Sequence, residues 1–124
     1  RILEEEGYIE PLKSQVSPRR LKSIVHGQYR SGKKLKSLDP HFYQMTLDYI
    51  EKLRVENPRA AERMAIDLLN LVERRLVLLM EMAFAKVDDQ VEVGGTVEER
   101  VLYETLKRLF DEWRRMIVGV VGIG

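Results

Sequence analysis

Apolar residues recur at the three- and four-residue spacing of an amphipathic helix in four separate stretches of the chain. These stretches predict helices over about 18–31, 40–55, 58–86 and 96–118. Three of them start with a capping side chain followed by proline, at Ser17-Pro18, Asp39-Pro40 and Asn57-Pro58. The fourth starts at Thr96, three residues before Glu99, which is the spacing of a reciprocal capping box. We therefore expect an all-α fold, an elongated bundle of about four helices with one long central helix.

The third predicted helix is apolar around most of its circumference. One stripe consists of Met64, Leu68, Leu71, Leu78, Leu79 and Met82. Further apolar residues widen it to roughly 260°, namely Ile66, Leu69, Leu76, Val77, Met80 and Phe84. Such a helix is central in its bundle or shared with another chain.

The length of this third helix favours sharing with another chain. At about 1.5 Å per residue it would run to about 43 Å, whereas a compact globule of this size is about 35 Å across. Its own neighbours are then too few to cover it from end to end. We therefore predict an interface with a partner chain at Leu69, Leu76, Val77, Met80 and Phe84.

The last predicted helix carries one apolar stripe and a charged opposite face. The stripe consists of Leu102, Leu106, Leu109, Phe110, Trp113, Met116 and Ile117. We expect this stripe to be buried and the charged face to meet water.

Two polar residues of the third helix face its apolar arc. Arg75 lies between Leu71 and Leu78 on the main stripe, so its guanidinium must reach solvent or meet an acceptor. A structural pair with a glutamate or a backbone carbonyl and a contact between subunits are the two alternatives. Glu73 also faces the arc and is a candidate partner for a base on another helix. We expect both residues to specify packing and not to take part in catalysis.

The charge is distributed unevenly although the net charge is only +1. Residues 1–10 are acidic, whereas residues 11–38 contain basic residues and no acid: Lys13, Arg19, Arg20, Lys22, Arg30, Lys33, Lys34 and Lys36. Such a block is either a solvated leader or a contact for an anionic partner, either nucleic acid or an acidic protein face. The candidate phosphate contacts are Arg19, Arg20, Lys22, Lys33, Lys34 and Lys36.

The chain offers few groups suited to catalysis or to metal binding. It has no cysteine, which excludes disulfides, thiolate metal sites and cysteine nucleophiles, and its imidazoles are His26 and His41. The pair Asp88-Asp89 lacks the oxygen-ligand spacing of an EF-hand. We therefore expect no enzymatic activity, no metal and no cofactor. No apolar run approaches the ~20 residues of a membrane span, and we expect an intracellular protein without membrane contact.

Two segments resemble a known family. Residues 38–53, LDPHFYQMTLDYIEKL, are similar to the opening of the helical domain in archaeal GINS subunits of the class in which that domain comes first. Residues 102–119, LYETLKRLFDEWRRMIVG, resemble the last helix of the same domain, and Glu73-Arg74-Arg75 lies on the long helix between them.

This resemblance implies a scaffold subunit without enzymatic activity. GINS is a tetrameric assembly of DNA replication that joins the MCM helicase ring to a RecJ-like partner. The resemblance implies that this chain binds sister subunits or a second copy of itself. It also implies a cytoplasmic, nucleoid-associated location. We expect an acidic start and basic leader with a short helix over 1–38 and a helical domain over 39–118. Residues 119–124 would form a tail or the start of a linker to the small β-domain of that family, which we expect to be absent.

Overall fold

The computed structural model describes residues 16–121, and the fold that it shows is all-α. The helices are α1 (Pro18–Arg30), α2 (Phe42–Glu56), α3 (Pro58–Ala85), α4 (Asp89–Gly94) and α5 (Val97–Val121). None of residues 16–121 lies in a strand, so the predicted fold class is confirmed. The acidic residues 1–10, Lys13 and residues 122–124 lie outside the described part of the chain.

Capping side chains begin three of the helices where the sequence predicts. The Ser17 hydroxyl accepts the Arg20 N–H at 3.0 Å, and the Asn57 side chain accepts the Ala60 N–H at 3.1 Å. Thr96 and Glu99 form the reciprocal capping box, with hydrogen bonds of 3.0 and 3.1 Å.

The second helix starts later than predicted, at Phe42. Asp39 accepts the His41 N–H at 2.8 Å, which closes a turn before the helix. The carbonyl of Pro40 accepts the Val97 N–H at 2.8 Å, so this turn is attached to the start of α5. A tertiary contact therefore replaces the first turn that Asp39-Pro40 predicts.

The long helix α3 is the centre of the molecule and contacts α1, α2 and α5. Around its N-terminal half lies one apolar core, formed by Val16, Leu21, Phe42, Ile50, Ala61, Met64, Leu68 and Leu71. Around its C-terminal half lies another, formed by Leu35, Leu78, Leu79, Met82, Ala83, Val91 and Tyr103. The main stripe that the sequence predicts on this helix is therefore the buried one.

The short helix α4 returns the chain to the middle of α3, so that α5 runs in the same direction as α3. Arg75 contacts Glu99 at the start of α5, and farther along the Phe84 and Phe110 rings meet edge to face with centroids 6.0 Å apart. The sequence did not predict α4, because a helix of 6 residues is too short to show a period and it ends at Gly94-Gly95.

Two observations concern the segments on either side of the predicted helical domain. Leu21 and Gln28 of α1 are buried, so the short helix predicted within residues 1–38 packs against the rest of the bundle. Helix α5 continues to Val121, so the predicted tail of residues 119–124 begins inside a helix.

Candidate interaction surface

One face of α3 exposes a row of apolar side chains, which we call the α3 stripe. Its members are the five residues predicted to form a partner interface, Leu69, Leu76, Val77, Met80 and Phe84. Their side chains are between 37% and 62% exposed. The bundle thus covers the opposite face of α3 and leaves this one uncovered by residues 16–121. A row of this kind is typical of a surface that binds another protein.

The α3 stripe borders an apolar groove between α2, α3 and α5. The groove has a volume of about 260 Å³ and is lined by Tyr43, Val72, Leu76, Leu79, Leu102, Glu98 and Glu99. Its wall is almost entirely carbon, and Glu98 is the exposed acid at its rim. Such a groove fits an apolar side chain of a partner helix.

Beneath this groove lies a buried ion pair. Arg75 is fully buried, and its Nε and Nη2 donate to the two carboxylate oxygens of Glu99 at 2.6 and 2.7 Å. Tyr43 donates its hydroxyl hydrogen to the same carboxylate. The pair therefore connects α2, α3 and α5 at the point where the two apolar cores meet.

The remaining hydrogens of Arg75 bind acceptors from other segments. Nη1 donates to the Gln28 side chain at 2.9 Å and to the carbonyl of Lys36 at 2.7 Å. Nη2 also donates to the carbonyl of Gly94 at 3.4 Å. Every N–H of the guanidinium thus has an acceptor, which a buried arginine requires.

The environment of Glu99 controls its ionisation. Burial alone would raise the pKa of this carboxyl, but the hydrogen bonds and the positive charge of Arg75 outweigh it and hold the pKa below its ordinary value. Burial and the Glu99 charge raise the pKa of the Tyr43 hydroxyl far above its usual range. Tyr43 therefore remains a hydrogen-bond donor to an ionised Glu99.

The predicted structural polar residues have different surroundings. Arg75 has the glutamate and carbonyl partners that one of the two sequence interpretations required. Glu73 is exposed and belongs to no ion pair among residues 16–121. The buried acid is instead Glu99, which the sequence identified as a capping residue but not as the partner of Arg75. The capping-box spacing was the signal that could have identified Glu99, because the carboxylate of a capping glutamate is held at the start of its own helix.

The second half of α5 is less covered than its sequence predicts. Leu102, Leu106 and Phe110 pack against the second core, but Leu109, Trp113, Met116 and Ile117 are exposed. The reason is geometric, since α5 passes the end of α3 at Ala85, where Arg114 donates to the Phe84 carbonyl at 2.6 Å. The exposed end of α5 adds a second apolar surface to that of the α3 stripe.

The basic residues of the predicted leader are exposed and lie on α1 and on the loop that follows it, namely Arg19, Arg20, Lys22, Lys33, Lys34 and Lys36. Lys22 is held by Asp67 of α3 at 3.0 Å. Arg20 and Lys36 instead line a common groove with Arg30.

Both histidines, His26 and His41, are exposed. Within residues 16–121, no three His, Cys, Asp or Glu side chains are grouped so that they could hold a metal ion. None of the helices α1–α5 has the length and apolar character needed to cross a membrane.

No protein-family model matches this chain, and neither the curated proteins nor the solved structures contain a match.

Proposed function

We propose that this chain is a non-enzymatic scaffold subunit of the GINS type, which binds sister subunits through uncovered helix faces. The observation that carries the proposal is the α3 stripe. Leaving these side chains in water is unfavourable by about 25 cal/mol per Å² of apolar surface, and a partner helix would remove that cost.

The two segments that resemble GINS subunits support the proposal by their positions. Residues 38–53 contribute Tyr43 to the apolar groove beside the α3 stripe, and residues 102–119 contribute Leu102 to it. The segments that carry the resemblance therefore line the proposed interface together. Sister subunits bound here would hold the MCM helicase ring and a RecJ-like partner in one assembly.

The charges around the α3 stripe specify the chemistry of the bound helix. Glu73 lies on the same face of α3 and Glu98 lies at the rim of the groove, and both are exposed. A sister helix that places apolar side chains on Leu69, Leu76 and Met80 would bring lysine or arginine opposite these acids.

Substitutions on the exposed face test this proposal. Met80→Asp adds a charge to the α3 stripe without touching the core, and Val55→Asp makes the same kind of change at a site 86% exposed near the end of α2. Leu79 is unsuitable because it is buried and its replacement would disturb the fold. Each protein is immobilised and exposed to lysate of the source cells, and the bound chains are identified by mass spectrometry.

We expect the wild-type and Val55→Asp proteins to retain replication proteins with helical domains, and Met80→Asp to lose them. Light scattering after size-exclusion chromatography would show self-association directly, if a second copy is the partner. A wild-type chain that stays monomeric at high concentration and retains nothing that Met80→Asp loses would contradict the proposal.

A further inference from the structure

A second groove lies between α1 and the segment 36–40, and its lining differs from that of the apolar groove. It has a volume of about 570 Å³ and a largely polar lining, and we call it the basic groove. One wall is a face of α1, where Arg20, Ser23, Gly27 and Arg30 follow at helical spacing. The other wall includes Lys36, Ser37 and Asp39.

The Lys36 side chain lies against α1 beside Gly27. A Cβ at Gly27 would lie 3.6 Å from Cε of Lys36, so the Lys36 side chain passes directly over the helix backbone. The positive charge of Lys36 is thereby held on the same groove as the guanidinium groups of Arg20 and Arg30. Folding thus collects cations that are as much as 16 residues apart in the sequence.

These three cations have little local compensation. None of the ion pairs within residues 16–121 includes Arg20, Arg30 or Lys36, in contrast to Lys22, which binds Asp67. Asp39 is the one acid that lines the groove in the described chain, and its Oδ1 already accepts the His41 N–H. The groove is therefore a concave surface of net positive charge, which attracts anions.

The groups on the walls suit phosphate. Arginine presents a planar fork of N–H donors that matches phosphate oxygens, and the Ser23 and Ser37 hydroxyls add neutral donors. Lys33 and Lys34 are exposed on the loop that leads to Lys36, and Arg19 is exposed beside Arg20, so positive charge continues past the groove. A track of this kind fits a chain of phosphates better than a single ion.

We propose that the basic groove binds the phosphodiester backbone of a nucleic acid, without sequence preference. The lining holds no exposed aromatic ring for base stacking, because Phe42 is buried, so the contacts are to phosphate and not to bases. This inference is independent of the scaffold role, since the basic groove and the α3 stripe have no residue in common.

The test compares two triple variants with equal net charge. One replaces Arg20, Arg30 and Lys36 by glutamine, and the control replaces Lys52, Arg59 and Arg63, which are exposed on α2 and α3 and lie outside the groove. Fluorescence anisotropy measures binding of labelled single-stranded and duplex DNA of mixed sequence over a series of salt concentrations. Circular dichroism confirms that both variants remain helical.

We expect the groove variant to bind DNA at least about tenfold more weakly than wild type, with a salt slope reduced by roughly 2 to 3. The control should keep most of the affinity. Comparison of the two DNA forms shows whether the phosphates come from a single strand or from a duplex.

Three results would overturn the inference. The first is an equal loss of DNA affinity in both variants, which would indicate attraction by net charge alone. The second is displacement of DNA by polyglutamate at the same charge concentration, which would indicate an acidic protein partner. The third is the absence of salt-dependent DNA binding by the wild-type chain.

Discussion

Arg75 of α3 and Glu99 of α5 meet through both carboxylate oxygens in the interior, although 24 residues separate them in the sequence. The same carboxylate also caps the N-terminus of α5 by accepting the Thr96 N–H at 3.0 Å. Glu99 therefore both caps the start of α5 and attaches this helix to α3.

Removing one partner of this pair should be costly. Arg75→Ala leaves the Glu99 charge buried without its main partner, and we expect the free energy of unfolding to fall by about 3–5 kcal/mol. The exposed pair of Arg54 and Glu51, with an N–O distance of 3.8 Å, is the control, and Arg54→Ala should cost less than about 1 kcal/mol. Urea denaturation measures both.

The double variant Arg75→Met, Glu99→Leu removes both buried charges and leaves apolar side chains in their place. Since both charges are then absent, it should lose less stability than the two single substitutions together. An Arg75→Ala protein as stable as Arg54→Ala would show that the pair is not buried as described.

The stability of the fold should depend on pH through Glu99. The pKa of this carboxyl is lower in the folded chain than its ordinary value of 4.5, so its contribution to stability is fully present above that value. This contribution is lost as the pH falls through the lower, folded pKa. The free energy of unfolding of the wild type should therefore exceed that of Glu99→Gln at neutral pH, and the difference should narrow below pH 4.5. A difference that stays constant down to the acid range would contradict the assignment.

Two tyrosines allow the same chemical change in opposite settings. The Tyr43 hydroxyl donates to ionised Glu99, so Tyr43→Phe should cost roughly 1.5–3 kcal/mol. The Tyr103 hydroxyl is buried and has no hydrogen-bond partner among the described residues. Tyr103→Phe should therefore change stability by less than about 0.5 kcal/mol or increase it. Thermal melts of both variants would reveal the order, and the reverse order would disprove it.

Gly94 and Gly27 form another matched pair. A Cβ on Gly94 would lie 2.8 Å from Cα of Ser37, because the Gly94 carbonyl accepts the Leu38 N–H at 3.0 Å and draws the two backbones together. Gly94→Ala should lower stability by about 1–3 kcal/mol. Gly27→Ala meets only ordinary contacts within α1 and should raise it by about 0.5–1 kcal/mol. Chemical denaturation of the two variants checks the opposite signs.

The helices could be predicted because their signals are local. Ser17, Asn57 and Thr96 each cap a helix that begins within a residue of its predicted start. Periodicity also separated the covered face of α3 from the exposed one, since a continuous helix fixes the angle between any two of its residues. The helix start after Asp39 was predicted too early because the Pro40 carbonyl accepts the N–H of Val97, which lies far along the chain.

The candidate sites were less accessible to sequence reasoning because they depend on which segments meet. An apolar arc shows that Arg75 needs an acceptor but cannot identify Glu99 among the acids of the chain. The basic block was visible in the composition. Lys22 forms an ion pair with Asp67, whereas Arg20 lines a groove, and this difference depends on how residues 36–40 fold against α1. The exposure of the C-terminal end of α5 was not predicted, because how far α5 extends past the end of α3 depends on where α4 returns the chain to α3.

The five donors of Arg75 reach four separate segments of the chain, at Gln28, Lys36, Gly94 and Glu99. Neither half of α3 can lose its neighbouring helices without exposing the same guanidinium. We therefore expect local opening at either end to be suppressed, and backbone amides in α1 and at the start of α5 to exchange with deuterium mainly when the entire domain opens, which hydrogen-exchange mass spectrometry would measure.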